Sequence, residues 1–172
     1  MRSNWFWRKF KVPEFKLELQ LRGDTEIVLK RQFRAPQGLV FNCFTDPEVL
    51  PKWLGSGMGT TTLCVADYEI GGVWRHMMDM GEHGVFDSFG QTLDFEAPTR
   101  LVRSYVFNVP VIREAVCTET AVFSESEGVA SVEIVIRHFS KENRDGHAAS
   151  GIEYGAGLSY DSLEALLAQP QG

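Results

Sequence analysis

The 172-residue chain is 44% apolar, which supplies one sizeable core but is short for two, so a single domain is expected. Its formal charge of −6, from 17 basic and 23 acidic side chains, argues against nucleic-acid binding as the main activity. Cys43, Cys64 and Cys117 are odd in number and lack C-x-x-C spacing, so they suggest neither a disulfide framework nor a cysteine zinc site and fit reducing cytoplasm best.

The start mixes Trp5, Phe6, Trp7 and Phe10 with Arg2, Arg8, Lys9 and Lys11, a combination suited to a membrane interface or to packing back on the domain. It lacks the apolar core and cleavage site of a signal peptide, and no apolar run approaches a membrane span, so a soluble, unprocessed protein is expected. Residues 1–14 read as an extension, and 15–169 as the domain. From Phe15, Leu17, Leu19 and Leu21 alternate with Lys16, Glu18, Gln20 and Arg22, as in a half-buried strand. Gly23-Asp24 then turns the chain into a second strand carrying Ile27, Leu29, Arg31 and Phe33, making a hairpin over Phe15–Phe33. The exposed edge at Phe15 suits pairing between two copies, and hence a homodimer.

Pro36 presets the first turn of a helix buried through Val40, Phe41 and Phe44. Thr45-Asp46-Pro47 opens a second short helix leading to Trp53, which Gly55 and Gly57 end. Strands return over Thr60–Tyr68, Val73–Met80, Val85–Phe95, Arg100–Asn108, Ala115–Ser124 and Val129–Phe139, separated by short Gly- or Pro-marked turns that admit only antiparallel pairing. The expected sheet has six or seven strands. Over Asp145–Ala168, Ala149, Ile152, Ala156, Tyr160, Leu163 and Leu167 fall on one face at helical spacing, so a long C-terminal helix gripped by a curved sheet is expected.

The run Ile27 to Leu54, with Arg31, Phe33, Ala35-Pro36, Val40-Phe41, Thr45-Asp46-Pro47 and Trp53, resembles the activator of heat-shock protein 90 ATPase-like branch of the SRPBCC superfamily. Gly71-Gly72-Val73-Trp74-Arg75, Gly90, Pro98-Thr99-Arg100-Leu101-Val102 and Gly151 through Leu167 follow in that family's order, so the resemblance covers about residues 15–168. It implies an α+β helix-grip fold, related to START domains and the birch-pollen allergen, with a hydrophobic cavity between sheet and long helix. These residues build turns, caps and core, and imply no one shared reaction.

Alternation proposes the inward faces of the strands. Trp74, His76 and Met78 share one; Phe89, Gln91, Leu93 and Phe95 another; Arg103, Tyr105 and Phe107 a third. Cys117, Glu119, Ala121 and Phe123 follow, then Val132, Ile134, Ile136 and His138. With Phe41, Phe44, Trp53, Tyr154 and Leu158 from the helices, these describe an aromatic pocket with a few polar groups, the usual make-up of a small-molecule site. Arg103 and Glu119, on neighbouring strands, are a possible ion pair; His76 and His138 are candidate partners for a polar head group.

No H-E-x-x-H, G-x-S-x-G or G-x-x-x-x-G-K-[ST] occurs, and the four histidines have no metal-ligand spacing, so neither a metal nor a cofactor is expected. His83 and His147 are expected in separated, Gly-flanked turns. Three functions are compatible. The first is a cytoplasmic module binding a hydrophobic or aromatic small molecule. The second is a partner of a chaperone ATPase acting through its surface, and the third a cyclase- or hydrolase-type enzyme using Arg103, Glu119 or His76 as acid and base.

Overall fold

The structure, a computed structural model, describes residues 15–108 and 115–169, so the aromatic and basic start lies outside the described residues. The alternating segments form eight strands: β1 (Glu18–Arg22), β2 (Glu26–Phe33), β3 (Thr60–Ala66), β4 (Val73–Asp79), β5 (Val85–Glu96), β6 (Arg100–Asn108), β7 (Ala115–Ser126) and β8 (Val129–His138). They pair antiparallel in the order β1-β2-β8-β7-β6-β5-β4-β3. There are eight rather than six or seven because both strands of the Phe15–Phe33 hairpin join the meander's sheet, β2 pairing with β8 from Glu26↔Arg137 to Phe33↔Ala130. β8 shows the expected alternation: Ala130, Val132, Ile134, Ile136 and His138 are buried, while their neighbours keep contact with solvent.

Pro36 stands at the N-cap of α1 (Gln37–Thr45), one residue before the first turn. The second expected helix is only a 3₁₀ turn over Leu50–Lys52. Asp46 accepts the Glu48 N–H at 2.8 Å, and the chain then leaves through Gly55 and Gly57, both at positive φ.

The single C-terminal helix is in fact two, α2 (Lys141–Ala149) and α3 (Ile152–Leu167). Ser140 caps α2 by accepting the Asn143 N–H at 3.1 Å. Gly151, at φ 93, breaks the path in a left-handed conformation that a side chain would resist, and Ala149 ends up exposed. α2 is tied down by Arg144, whose Nη1 donates to the Gly23 carbonyl at 2.9 Å, and by His147. α3 is tied by Arg31 to Asp161 at 2.8 Å, by Arg34 to Glu164 at 2.7 Å, and by the Gly55 N–H donating to Ser159 Oγ at 3.0 Å.

One end of the interior is packed solid. Phe41 meets Phe123 at 5.0 Å between ring centroids, Phe44 meets Trp53 at 4.8 Å and Phe123 at 5.3 Å, and Tyr160 meets Phe33 at 5.9 Å. The Trp53 indole N–H donates to the Cys43 carbonyl at 2.9 Å, so this ring enters the core with its polar atom satisfied. Each such side chain sealed from water contributes about 1.5–3 kcal/mol, which makes this cluster the anchor of α1 and α3 on the sheet.

Candidate functional site

The other end is different in chemistry. On the helix-facing side of β4, β5, β6 and β7, Trp74, His76, Ser88, Thr92, Arg103, Tyr105, Cys117 and Glu119 converge, as the pairings Trp74↔Gly90, His76↔Ser88, Thr92↔Arg103 and Arg103↔Glu119 require. Arg103 Nε donates to Glu119 Oε1 at 2.8 Å, and its Nη2 lies 2.7 Å from the same oxygen in the ion pair. Its guanidinium also lies 4.2 Å from the Trp74 ring centroid and 5.6 Å from that of Tyr105. Arg103 nevertheless keeps 20% of its side-chain surface open to solvent and Glu119 11%, whereas Phe33, Trp53 and Leu163 are sealed.

Trp74 reaches across β5. Its Nε1 donates to the Ser104 carbonyl on β6 at 3.1 Å, passing Gly90, its register partner. A Cβ on Gly90 would stand 1.9 Å from that same carbonyl oxygen, so glycine is required there by contact with backbone.

The titratable groups around the ion pair are held neutral. Burial, then the Arg103 charge, keeps the His76 imidazole below its ordinary value, and its Nε2 lies 3.0 Å from Thr61 Oγ1. Burial pushes the Tyr68 hydroxyl up to about 12, on a ring stacked 4.9 Å from Phe95. Burial, then the Glu119 charge, pushes the Cys117 thiol up to about 12 and raises the Tyr105 and Tyr160 hydroxyls as well; Tyr105 also hydrogen-bonds to Ser88. Burial opposes the charge on Arg103, but Glu119 and Tyr105 more than offset it, and its pKa lies above the usual guanidinium value.

Of the residues proposed from sequence, Trp74, His76, Met78, Arg103, Tyr105 and Glu119 share this face, while Phe41, Phe44, Trp53 and Phe123 belong to the packed aromatic end. Leu158 is half-buried beside Gly57. The Phe107 side chain is outside the described residues. Phe89 and Gln91 do not face inward. The β5–β6 register shifts between Thr92 and Asp94, making Leu93 an extra, exposed residue. Carrying the inward parity of Phe95 back across that bulge reverses the strand. Phe89 instead lies 5.9 Å beneath the Arg75 guanidinium on the opposite face, and Ser88, Gly90 and Thr92 point inward. The signal for this was Gly90, since glycine inside a strand marks a bulge or a close backbone approach. Tyr154 is 72% exposed, because it lies on the opposite side of α3 from Ile152, Ala156 and Tyr160.

His138 lies apart from Arg103, at the joint of β8 and α2. His147 is not in a turn: it is buried in α2, its Nδ1 3.1 Å from His138 Nε2, the rings edge to face at 5.1 Å. Burial, then the neighbouring His138, pushes the His147 imidazole down to about 4, and burial with Arg144 lowers that of His138. A separate groove of about 550 Å³ on the other side of the sheet, bordered by Lys30, Gln32, Val122, Ser124 and Glu133, shares none of these groups. Among the described residues no helix is long and apolar enough to cross a membrane.

The fold is shared with solved structures. A Rhodobacter sphaeroides protein is 24% identical with a TM-score of 0.80, covering 89% of this chain and 98% of its own. Protein Ms6760 from Mycobacterium smegmatis is 20% identical with a TM-score of 0.79, covering 90% and 98%. Protein NE0264 from Nitrosomonas europaea is 25% identical with a TM-score of 0.74, covering 86% and 96%. No curated protein matches the chain. The family model described as "Activator of Hsp90 ATPase homolog 1-like protein" matches residues 34–168. With that match spanning most of the chain and the helix-gripping sheet around it, this protein belongs to the activator of Hsp90 ATPase homolog 1-like family of the SRPBCC superfamily.

Proposed function

We propose that this domain binds a small molecule with an apolar body against the helix-facing side of β4–β7. The observation that carries the reading is the Arg103–Glu119 pair: two charges among aromatic rings, bonded to each other and still touching solvent, where a purely structural interior would be sealed. Trp74, fixed by its hydrogen bond to Ser104, packs on Tyr105 at 4.9 Å between ring centroids and lies under Arg103, so the charged pair is held on a rigid aromatic floor before any ligand arrives. The test is thermal denaturation against a library of aromatic and lipid-like probes. A ligand at a hundred times its dissociation constant stabilises the native state by about 2.7 kcal/mol. Trp74→Ala removes a buried side chain and lowers the melting temperature itself, and against that lower baseline the ligand shift should be abolished. A library that raises the melting temperature nowhere would overturn the reading.

The family's description favours a second reading, contact with a chaperone ATPase through the outer surface. Adding the protein to the purified chaperone and measuring ATP hydrolysis separates the two, and an unchanged rate removes the second.

A further inference from the structure

β1 ends one side of the sheet and, among the described residues, pairs with β2 alone. Alternate N–H and C=O groups along it therefore point away from the sheet, toward whatever lies beyond. Its pairing runs without a shift from Glu18↔Lys30 to Arg22↔Glu26, so this edge is regular. β3, at the other end, has an irregularity between Thr61 and Leu63 of the kind that discourages a further strand. Four of the five β1 residues are exposed, among them Leu21 at 46%.

We propose that this edge pairs with β1 of a second copy of the chain, antiparallel, about a two-fold axis through Gln20. In such a pair the residues whose N–H and C=O point outward must face one another, which sets the axis on a residue and not between two. β1 offers five such positions, and charge decides among them. An axis at Glu18 or at Arg22 sets that side chain against its own copy. At Leu19 it sets Lys16 against Arg22, and at Leu21 it sets Glu18 against Asp24. At Gln20 the opposed residues are Glu18 and Arg22, twice over, with Leu19 facing Leu21 and covering its exposed surface. The two charged groups are available for this. Lys30, the register partner of Glu18, is held by Glu133 at 2.9 Å, and Glu18 has no ion pair among the described residues. Arg22 reaches Glu26 at 2.5 Å, but Glu26 also holds Arg137 at 2.7 Å and keeps that partner when Arg22 turns to the second copy.

One short strand from each copy makes a small contact, so the dissociation constant should be on the order of 10 μM or weaker. The experiment is sedimentation velocity of the full chain at concentrations spanning that value, and wild type should show a concentration-dependent dimer. Glu18→Arg and Arg22→Glu each set like charges opposite one another twice, and each alone should associate about tenfold more weakly or worse. Mixed in equal amounts, the two variants restore both opposite-charge pairs, and the dimer should return. Under mild oxidation Gln20→Cys, which meets its own copy at the axis, should give a disulfide-linked dimer. Glu18→Cys, about 14 Å from its copy in this register, should not, with wild type as the control for the partly exposed Cys64. If a charge variant fails to fold, the two cysteine variants decide. A wild type that stays monomeric, a dimer that survives either charge reversal, a mixture that stays apart, or equal crosslinking at residues 18 and 20 overturns the proposal.

Discussion

Lowering the pH from 7 to 5 should weaken the fold through the buried histidines at the joint of β8 and α2. His147 is 3% exposed, and its imidazole sits at about 4 in the folded chain against an ordinary 6.5. A folded value below the unfolded one means that the unfolded chain takes up the proton first. Stability is therefore complete above about 6.5 and falls as the pH drops toward 4. At 1.36 kcal/mol per unit of pKa difference, the loss from this group is about 2 kcal/mol by pH 5 and about 3 kcal/mol by pH 4. His138 adds to it in the same direction, as does the buried His76 on β4, so the share that disappears in a His147 variant is the part owed to the joint. The carboxylates held low by ion pairs, Glu26 by Arg137 and Arg22, and Asp145 by Lys141 and Arg144, lose their contribution only below their ordinary values of 4.5 and 3.8. The window from 6.5 to 5 therefore reports the histidines. Urea denaturation of wild type and His147→Gln at pH 7 and 5 measures the effect, with the variant losing clearly less between the two. Equal wild-type stability at both values, or an undiminished loss in the variant, would refute the assignment.

Gly90→Ala forces a Cβ to within 1.9 Å of the Ser104 carbonyl oxygen, so β5 and β6 must part locally and the Trp74 hydrogen bond to that oxygen is strained. A loss of about 1–3 kcal/mol is expected from overpacking of this kind, read from thermal or urea melts. Two other glycines near the C-terminus should respond with opposite signs. Gly151→Ala has open space around the new methyl but must hold φ near 93, a cost of about 1–2 kcal/mol from the left-handed backbone alone. Gly146→Ala, inside α2 and equally unobstructed, should stabilise by up to about 1 kcal/mol, and a loss there would contradict the helical assignment.

Most of the fold was legible because it rests on periodicity. The alternation of Leu29, Arg31 and Phe33, and the helical spacing of Ile152, Ala156, Tyr160 and Leu163, each place a whole element by repetition. What a single residue decides was less legible. Ser150-Gly151 interrupts a helical pattern that otherwise continues, so one helix was expected where two form. Leu93, one residue too many opposite β6, breaks the alternation along β5, so Phe89 and Gln91 lie on the face opposite Phe95 while Ser88 and Thr92 point inward. The proximity of His138 and His147, nine residues apart on different elements, depends on how α2 folds back over β8, and spacing alone carries no record of that.

The break at Gly151 leaves α2 and α3 with separate fastenings. α2 hangs from Gly23 and His138, while α3 hangs from Arg31, Arg34 and the aromatic end. Between them run the first turns of α3, where Gly155 and Gly157 provide no side chain to hold. With fewer side-chain fastenings there than in the turns that follow, backbone amides at the start of α3 should exchange with solvent faster than those around Tyr160 and Leu163.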